Sequence, residues 1–214
     1  MILAILPQHR SRFSDQIAAM HRLRYRVFHQ RLGWEVTTVG DLEIDEYDAM
    51  SPIYLLQMDG TGEVNGCARL LCSTGPTMLS RTFPILLGES SCPSDPRVWE
   101  SSRFAVDLGH APAERSHTVG QATIELFAGL LELGLRLGWR EVMTVTDLKL
   151  ERVGARAGLE FERFSGPQQI GMTQAVAGFG RVSHDTLERI RKFGGLAKPV
   201  LQLSCDAHMT ELAA

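Results

Sequence analysis

The sequence predicts an α/β fold in which a mixed, mostly antiparallel central sheet carries flanking helices. Two patterns indicate this: segments with a helical period of three to four residues alternate with short apolar runs, and two early apolar runs are joined by turn residues. With 214 residues, 44% of them hydrophobic and 22% charged, the chain suits one globular domain spanning 1–214.

The first elements follow from local patterns. Residues 2–6 form an apolar run and predict a strand, and residues 13–32 predict a helix because their apolar positions recur every three or four residues. Gly33 is a suitable stop for that helix. Residues 40–50 are polar and acidic and predict a loop.

The next strands, 53–58 and 64–71, flank the hairpin signal Asp59-Gly60-Thr61-Gly62. Residues 73–95, rich in Ser, Thr, Pro and Gly, predict mostly irregular structure. A strand at 98–107, a helix at 119–137, a strand at 141–146 and a helix at 148–157 complete the prediction. This order resembles the GNAT-type acyltransferase fold, in which a splayed sheet opens a groove between two central strands.

Charge and cysteine usage exclude several classes. The net charge of −3 and the pI near 6.2 give the whole chain no electrostatic footprint for nucleic acid. The four cysteines lack CxxC spacing and histidine clusters, so we expect reduced thiols and no metal site. No apolar run approaches the ~20 residues that span a bilayer, and the short apolar N-terminus lacks a basic flank. We therefore expect a cytoplasmic protein.

Arg24 and Phe28 lie four residues apart on the predicted first helix and so share a face. Trp34 follows just beyond the helix end. Core packing of the two rings, with Arg24 paired to a carboxylate, is one interpretation. The other is an aromatic wall for a cationic ligand, since a sulfonium or ammonium is attracted to a π-face.

Asp45 and Asp48 lie in an acidic run, which is usually a solvated loop. Beside an aromatic wall and an arginine, the same carboxylates suit a ligand with a positive centre. They would alternatively pair with Arg24 and Arg69 and fix the loop, and both roles are compatible.

Charged residues interrupt the apolar strand at 98–107. Glu100 and Arg103 need partners because an unpaired buried charge is costly, and an ion pair of this strand with Arg69 would supply one. The two are an odd number of positions apart, so an ideal strand places them on opposite faces. If both serve one site, the strand must bulge near Ser101 or Ser102.

These eight positions together resemble the acyl-homoserine lactone synthases in residue type, order and spacing. The matching pattern is Arg24-x3-Phe28-x5-Trp34, Asp45-x2-Asp48, Arg69 and Glu100-x2-Arg103, within Glu100-Ser101-Ser102-Arg103-Phe104. The resemblance continues at Thr144-Val145-Thr146, covers most of the chain, and is far more specific than one short motif.

The resemblance implies two substrates, S-adenosylmethionine and an acyl thioester on acyl carrier protein or coenzyme A, with no cofactor and no metal. Glu100 would be the catalytic base, made stronger by apolar neighbours, with Arg69 and Arg103 beside it. Phe28 and Trp34 would form the sulfonium wall. The remaining substrate-binding residues would be Arg24, Asp45, Asp48, Arg103 and Phe104.

An acyl pocket is expected between the 119–137 helix and the strand ending at Thr146. Its predicted lining is Leu126, Met143, Thr144 and Thr146, although core packing explains these residues equally well. Thr146 matches a position associated in relatives with acyl chains oxygenated at the third carbon, but strands favour threonine anyway.

Lys149, Arg152 and Arg156 fall on one face of the 148–157 helix and predict a docking patch for the acidic carrier protein. A solvated basic face is the alternative. His117-x2-Gly120-x-Ala122 is similar to a pyrophosphate-binding loop, but His117 replaces the usual Arg or Gln, so we predict no coenzyme A site from it.

Two rival functions share this fold. One is an N-acyltransferase that uses acyl-coenzyme A on another amine, which leaves the Phe28, Trp34, Asp45 and Asp48 set unexplained. The other is a non-catalytic ligand-binding module, which has no need of Glu100 in a strand.

Overall fold

The computed structural model describes residues 1–107 and 120–206, and the strands of these residues include one mixed sheet of nine strands and a separate two-stranded hairpin. Five α-helices accompany them. The helices are α1 (Ser14–Arg24), α2 (Met78–Arg81), α3 (Gln121–Leu137), α4 (Leu148–Ala157) and α5 (His184–Gly194). The strands are β1 (Ile2–Ile5), β2 (Thr38–Val39), β3 (Leu42–Glu43), β4 (Ile53–Met58), β5 (Val64–Cys72), β6 (Val98–Val106), β7 (Glu141–Asp147), β8 (Glu162–Arg163), β9 (Gln168–Ile170), β10 (Thr173–Arg181) and β11 (Leu201–Leu203).

The chain divides into two compact units. The first contains the described parts of Met1–Arg69, Arg103–Gly129 and Val200–Ala214, and the second contains Leu70–Ser102 and Leu130–Pro199. Strands β5 and β6 and helix α3 each pass from one unit into the other.

In the first unit, β1 pairs in parallel with β11 and antiparallel with β4. Helix α1 buries Met20 and Leu23 in the same apolar cluster as Leu3 and Leu56 of the strands. The predicted strand at 53–58 is confirmed, and the hairpin turn after it is held by Asp59, whose carboxylate accepts hydrogen bonds from the backbone of Thr61 and Glu63.

In the second unit, β6 and β7 pair in parallel from Val98 opposite Glu141 to Ser101 opposite Thr144. Strand β7 pairs antiparallel with β10, which also pairs with β8 and β9. Helix α4 has the predicted bounds, and it begins at a cap where Asp147 accepts a hydrogen bond from the backbone N–H of Leu150.

The predicted helix at 13–32 is correct in extent but wrong in geometry after Arg24. Residues Tyr25–Arg31 form a π-helical segment, and the N–H of Leu32 bonds to the carbonyl of Val27, five residues earlier. Gly33 ends the segment with a φ of +64°, as predicted.

Two predicted irregular segments contain regular structure. The 40–50 loop includes part of the β2–β3 hairpin and a 3₁₀ turn at Glu46–Ala49, and its Glu43 side chain is fully buried. The 73–95 segment contains α2 and a second 3₁₀ turn, Pro84–Leu87. Short capped turns carry no long apolar period, which is why the pattern did not reveal them.

The predicted 119–137 helix is described as Gln121–Leu137, and Val119 and His117 lie outside the described residues. The other predicted strands agree to within one residue of the observed bounds at 2–5, 64–72, 98–106 and 141–147. Among the helices that the structure describes, none has both the length and the apolar character needed to cross a bilayer.

Candidate functional site

Arg24 is the centre of a buried charge network in the first unit. Its side chain is fully buried at the end of α1. Nη1 and Nη2 donate to the two carboxylate oxygens of Asp48 at 2.8 and 2.9 Å, and Nε donates to Glu43. Such bidentate pairing fixes both the position and the plane of the guanidinium.

A 3₁₀ turn presents the two predicted aspartates to the arginines. Asp45 caps the turn by accepting the N–H of Tyr47 at 2.9 Å, and Asp48 accepts the N–H of Asp45 at 2.9 Å. Arg69 donates to Asp45 and lies 3.1 Å from Oδ1 of Asp48. The predicted pairing of these aspartates with Arg24 and Arg69 is therefore confirmed.

Glu43 connects two of the arginines, a role that the sequence analysis missed. Its buried carboxylate accepts from Arg24 through one oxygen and from Nε of Arg103 through the other, at 3.0 Å. Arg103 also forms an ion pair with Asp45 at 2.8 Å. The positive charges of three arginines therefore balance the negative charges of three carboxylates within one network.

The network shifts the pKa values of Arg24 and Asp48. Burial opposes the charge of Arg24, but the hydrogen bonds and charges of Asp48 and Glu43 outweigh it and raise the pKa of Arg24. Burial likewise works against the Asp48 carboxylate, and Arg24 and Arg69 more than offset it, so the pKa of Asp48 is lowered. Both groups are held in their charged forms.

An aromatic pair lies beside the network. The rings of Phe28 and Trp34 stack with centroids 5.3 Å apart and 15° between their planes. The left-handed Gly33 reverses the chain, so that the N–H of Trp34 bonds to the carbonyl of Phe28 at 2.9 Å. The guanidinium of Arg103 lies over the Phe28 ring, 5.5 Å from its centroid.

The two rings differ in exposure. Phe28 is buried, whereas Trp34 is 38% exposed. Trp34 lines an open pocket of about 500 Å³ together with His29, Gly33, Glu35, Val36 and Thr37. Phe28 therefore has a packing role, and Trp34 has a free face for a ligand.

Glu100 belongs to the second unit and is fully buried. Its two carboxylate oxygens accept the backbone N–H groups of Met78 and Leu79, at 2.9 and 2.7 Å. The sequence analysis expected apolar neighbours. Two N–H donors favour the ionised carboxylate and fix its orientation.

Strand β6 is distorted next to the predicted position. Arg103 has a φ of +52°, in the left-handed region that side-chain-bearing residues rarely adopt. The left-handed residue lies immediately after Ser102, and so near the predicted position. Such distortions are stable only where the surroundings fix them, and here Glu43 and Asp45 hold the Arg103 side chain.

The predicted acyl-pocket residues are distributed between the units. Leu126 is buried in the first unit, and Phe104 packs its ring against Phe127 there, with centroids 5.3 Å apart. In the second unit Met143 is fully buried and Thr144 donates to the carbonyl of Ser101 at 2.8 Å. Thr146 is partly exposed on β7.

The predicted docking residues Lys149, Arg152 and Arg156 are all exposed on α4. Arg163, which lies near them in the sequence, is instead paired with Glu151 through two hydrogen bonds of 2.6 and 2.7 Å. The charge of Arg163 is therefore already compensated by Glu151.

The two units differ in the chemistry that their predicted residues offer. The first unit offers a rigid, neutral charge network and an aromatic face, suited to a zwitterionic ligand with a cationic centre. The second unit offers a single oriented carboxylate, suited to accept a proton.

Comparisons with known proteins identify related chains. A sequence model described as "Autoinducer synthase" matches residues 8–190. A probable acyl-homoserine-lactone synthase from Sinorhizobium fredii is 40% identical over 190 residues, covering 89% of this chain and 91% of that one.

Solved structures of other proteins resemble this chain in fold. BjaI, a CoA-dependent acyl-homoserine lactone synthase solved with SAM and isopentyl-CoA, has a TM-score of 0.84 and 27% identity, covering 100% of this chain and 97% of that one. FeeM, an N-acyl amino acid synthase from uncultured soil microbes, has a TM-score of 0.52 and 17% identity over 83% of this chain and 94% of its own, a likeness of fold alone.

Proposed function

Because the chain belongs to the autoinducer synthase family, we infer that it is an acyl-homoserine-lactone synthase that joins S-adenosylmethionine to an acyl chain. The family resemblance, the enzyme class and the acyltransferase-type fold expected from the sequence are confirmed by these similarities. The match includes all eight positions from Arg24 to Arg103, and this coverage is the observation that supports the function most strongly.

The reaction has two steps. The α-amine of S-adenosylmethionine loses a proton and attacks the thioester carbonyl, so that a C–N bond forms, the C–S bond breaks and the thiol leaves. The methionine carboxylate then attacks the γ-carbon, an O–C bond forms, and the C–S bond to the sulfonium breaks. Sulfonium and carboxylate charges cancel, and neutral methylthioadenosine is released with the lactone.

Glu100 is the proposed base for the first step. It is an oriented carboxylate, because its two oxygens accept the backbone N–H groups of Met78 and Leu79. Since the side chain is fully buried, proton transfer through one bound water suits it as well as direct contact.

The charge network is proposed to hold the polar end of S-adenosylmethionine. Among the described residues, Oδ2 of Asp45 accepts no well-aligned hydrogen bond, although Arg103 lies 2.8 Å away, so it has capacity for the substrate ammonium. Arg103 and the Phe104 backbone would bind the carboxylate end. Arg24, Arg69 and Asp48 would keep this surface rigid, because their charges are already paired with one another.

Trp34 and Phe28 are proposed to form the sulfonium wall. The indole of Trp34 lines the open pocket, and the ring of Phe28 stacks against the indole. A cation over such a face gains roughly 0.5–2 kcal/mol.

The acyl chain is proposed to lie among Leu126, Met143, Thr144 and Thr146. Met143 and Leu126 supply apolar surface, and the Thr146 hydroxyl would bond an oxygen at the third carbon if the natural chain carries one. Product analysis of Thr146→Val tests this: loss of preference for 3-oxo chains supports the bond, and an unchanged preference excludes it.

The acyl donor is proposed to dock at the basic patch of Lys149, Arg152 and Arg156. The exposed cations suit an acidic carrier protein, and they suit the phosphates of acyl-coenzyme A as well. No cofactor or metal enters this scheme, since S-adenosylmethionine and the thioester are both consumed.

We further propose that the two units work as one synthase domain in the cytoplasm. The family match at 8–190 includes segments of both units, which supports a single functional domain. Its four cysteines are all free thiols, as is usual in a reducing compartment.

Expression in a bacterial host that makes no lactones tests the function. Mass spectrometry of the culture extract should find N-acyl-homoserine lactones with the protein present and far smaller amounts with Glu100→Gln. Absence of lactones from the wild-type culture, with the protein folded and soluble, would contradict the proposal.

A further inference from the structure

The first three backbone N–H groups of the short helix α2 bind two acceptor residues, Thr77 and Glu100. The first N–H groups of any helix have no partner within the helix. The third residue of α2, Ser80, donates its N–H to the Thr77 hydroxyl at 3.2 Å. The first two, Met78 and Leu79, donate theirs to Glu100.

Four hydrogen bonds join Thr77 and Ser80. Besides the bond from the Ser80 N–H, the N–H of Thr77 donates to the Ser80 hydroxyl at 3.0 Å, which in turn donates to the Thr77 carbonyl at 3.0 Å. The Thr77 hydroxyl completes the set by donating to the Ser80 hydroxyl at 3.1 Å. The turn is thus held by its own cap.

Burial makes this arrangement rigid. Thr77, Leu79 and Glu100 are all fully buried, so no group in the contact is free to change position cheaply. The cap binds the third N–H, and the first two bind Glu100 at 2.9 and 2.7 Å. The helix turn and the carboxylate therefore fix each other.

From this geometry we propose that Thr77 and Ser80 are positioning residues for Glu100. They hold the N–H groups of Met78 and Leu79 in the plane where each binds one carboxylate oxygen, and so set the direction of the oxygen lone pairs that receive the substrate proton. The inference rests on the proposed role of Glu100 as the base.

The position of a base matters because a displacement of about 1 Å can lower a rate about 100-fold. Loss of the Thr77 hydroxyl frees the Ser80 N–H and removes two of the four hydrogen bonds that hold the turn facing Glu100. Substrate affinity should change little, since Thr77 belongs to the second unit and the proposed S-adenosylmethionine contacts belong to the first.

The test compares Thr77→Val with Thr77→Ser, which keeps the hydroxyl, in steady-state kinetics. We expect Thr77→Val to lower kcat about 100-fold with KM for S-adenosylmethionine unchanged within a factor of about two, and Thr77→Ser to restore at least half of kcat. Should Thr77→Val fail to fold, Ser80→Ala removes the partner hydroxyl and carries the same expectation.

Ser183→Ala is the matched control. Ser183 caps α5 by accepting the N–H of Thr186 at 3.1 Å, and its hydroxyl lies 2.9 Å from the Thr186 hydroxyl. Like the Thr77 hydroxyl, the Ser183 hydroxyl accepts the N–H of the residue three positions later, but α5 is not the helix whose N–H groups bind Glu100. Ser183→Ala should lower the melting temperature comparably and leave kcat unchanged.

A double mutant separates the inference from the function. In the Glu100→Gln background, Thr77→Val should cause no further loss of kcat, because the group that it positions is already disabled. A full additional loss there would overturn the positioning role and leave the synthase function intact. Unchanged kcat in Thr77→Val alone would also overturn it, whereas a wild-type protein that forms no lactone would overturn the function itself.

Discussion

Arg103 donates a hydrogen bond from Nε to Oε1 of Glu43 over 3.0 Å, although the two residues lie 60 positions apart in the sequence. Glu43 binds Arg24 with its other oxygen. One buried carboxylate thus connects the first helix to the distorted part of strand β6, and it holds Arg103 over the ring of Phe28.

Glu43→Gln should destabilise the protein strongly. The substitution removes a charge that compensates two buried guanidiniums, and removing one partner of a buried ion pair costs about 3–5 kcal/mol. Chemical denaturation of both proteins measures the difference in the free energy of unfolding.

Asp41→Asn is the control for that measurement, since Asp41 lies in the same hairpin region but pairs with Arg22 at the surface, 3.3 Å away. Its free energy of unfolding should match that of the wild type. Equal stability of Glu43→Gln and wild type would show that the buried network does not need its third carboxylate.

Trp34→Ala should weaken binding of S-adenosylmethionine about 10-fold, the loss expected when a cation–π contact of about 1.4 kcal/mol disappears. Stability should change little, because the side chain is 38% exposed. Isothermal titration calorimetry gives the affinity. Phe193→Ala, at an aromatic residue of similar exposure on α5, should bind the substrate normally; equal weakening in both would remove Trp34 from the proposed site.

The free energy of unfolding should fall as the pH drops from 7 to 5, partly through His21. Its ring is buried, with Nδ1 2.8 Å from the carbonyl of Glu43, and burial followed by the charge of Arg24 lowers its pKa despite the opposing charges of Asp48 and Glu43. The unfolded chain takes up this proton near the usual pKa of about 6.5, whereas the folded chain does so only at lower pH. Protons therefore favour unfolding in this interval.

His21→Gln should remove that part of the pH dependence. Denaturation midpoints at pH 7, 6 and 5 should form a flatter series in the variant than in the wild type. Parallel series for the two proteins would mean that His21 does not titrate differently on folding.

Arg152→Glu should raise KM for an acyl-carrier-protein donor about 10-fold at low salt, because it reverses the charge at the centre of the proposed patch. Lys192→Glu, on the exposed face of α5, is the matched single reversal and should leave KM unchanged. Equal effects of the two reversals would indicate a general electrostatic contribution and no specific docking patch.

The sequence predicted the strands and helices with strong periods because they carry a local signal, and the family resemblance named every residue of the charge network except Glu43. The sequence analysis missed the burial of Glu43, because an acidic run is usually solvated. The bonds from Arg24 and Arg103 to Glu43 join residues that are far apart in the sequence, so no local pattern reveals them. The π-helical segment after Arg24 was also hidden, because its apolar spacing resembles that of an α-helix.

The surroundings of Glu100 were incompletely predicted for a related reason. Thr77-x2-Ser80 is a recognisable capping pattern, but α2 has only four residues and lies in a segment rich in turn residues. The carboxylate that binds the first N–H group of α2 belongs to Glu100, which lies 22 positions after Met78 in the sequence. Such a contact follows from the tertiary fold and not from local preference.

Release of methylthioadenosine by the purified protein tests the central claim most directly. With S-adenosylmethionine and a series of acyl thioesters, chromatography should find one methylthioadenosine and one acyl-homoserine lactone for each thiol set free. Thiol release with an acylated amine product and no methylthioadenosine would contradict the account, because it would show an N-acyltransferase that does not close the lactone.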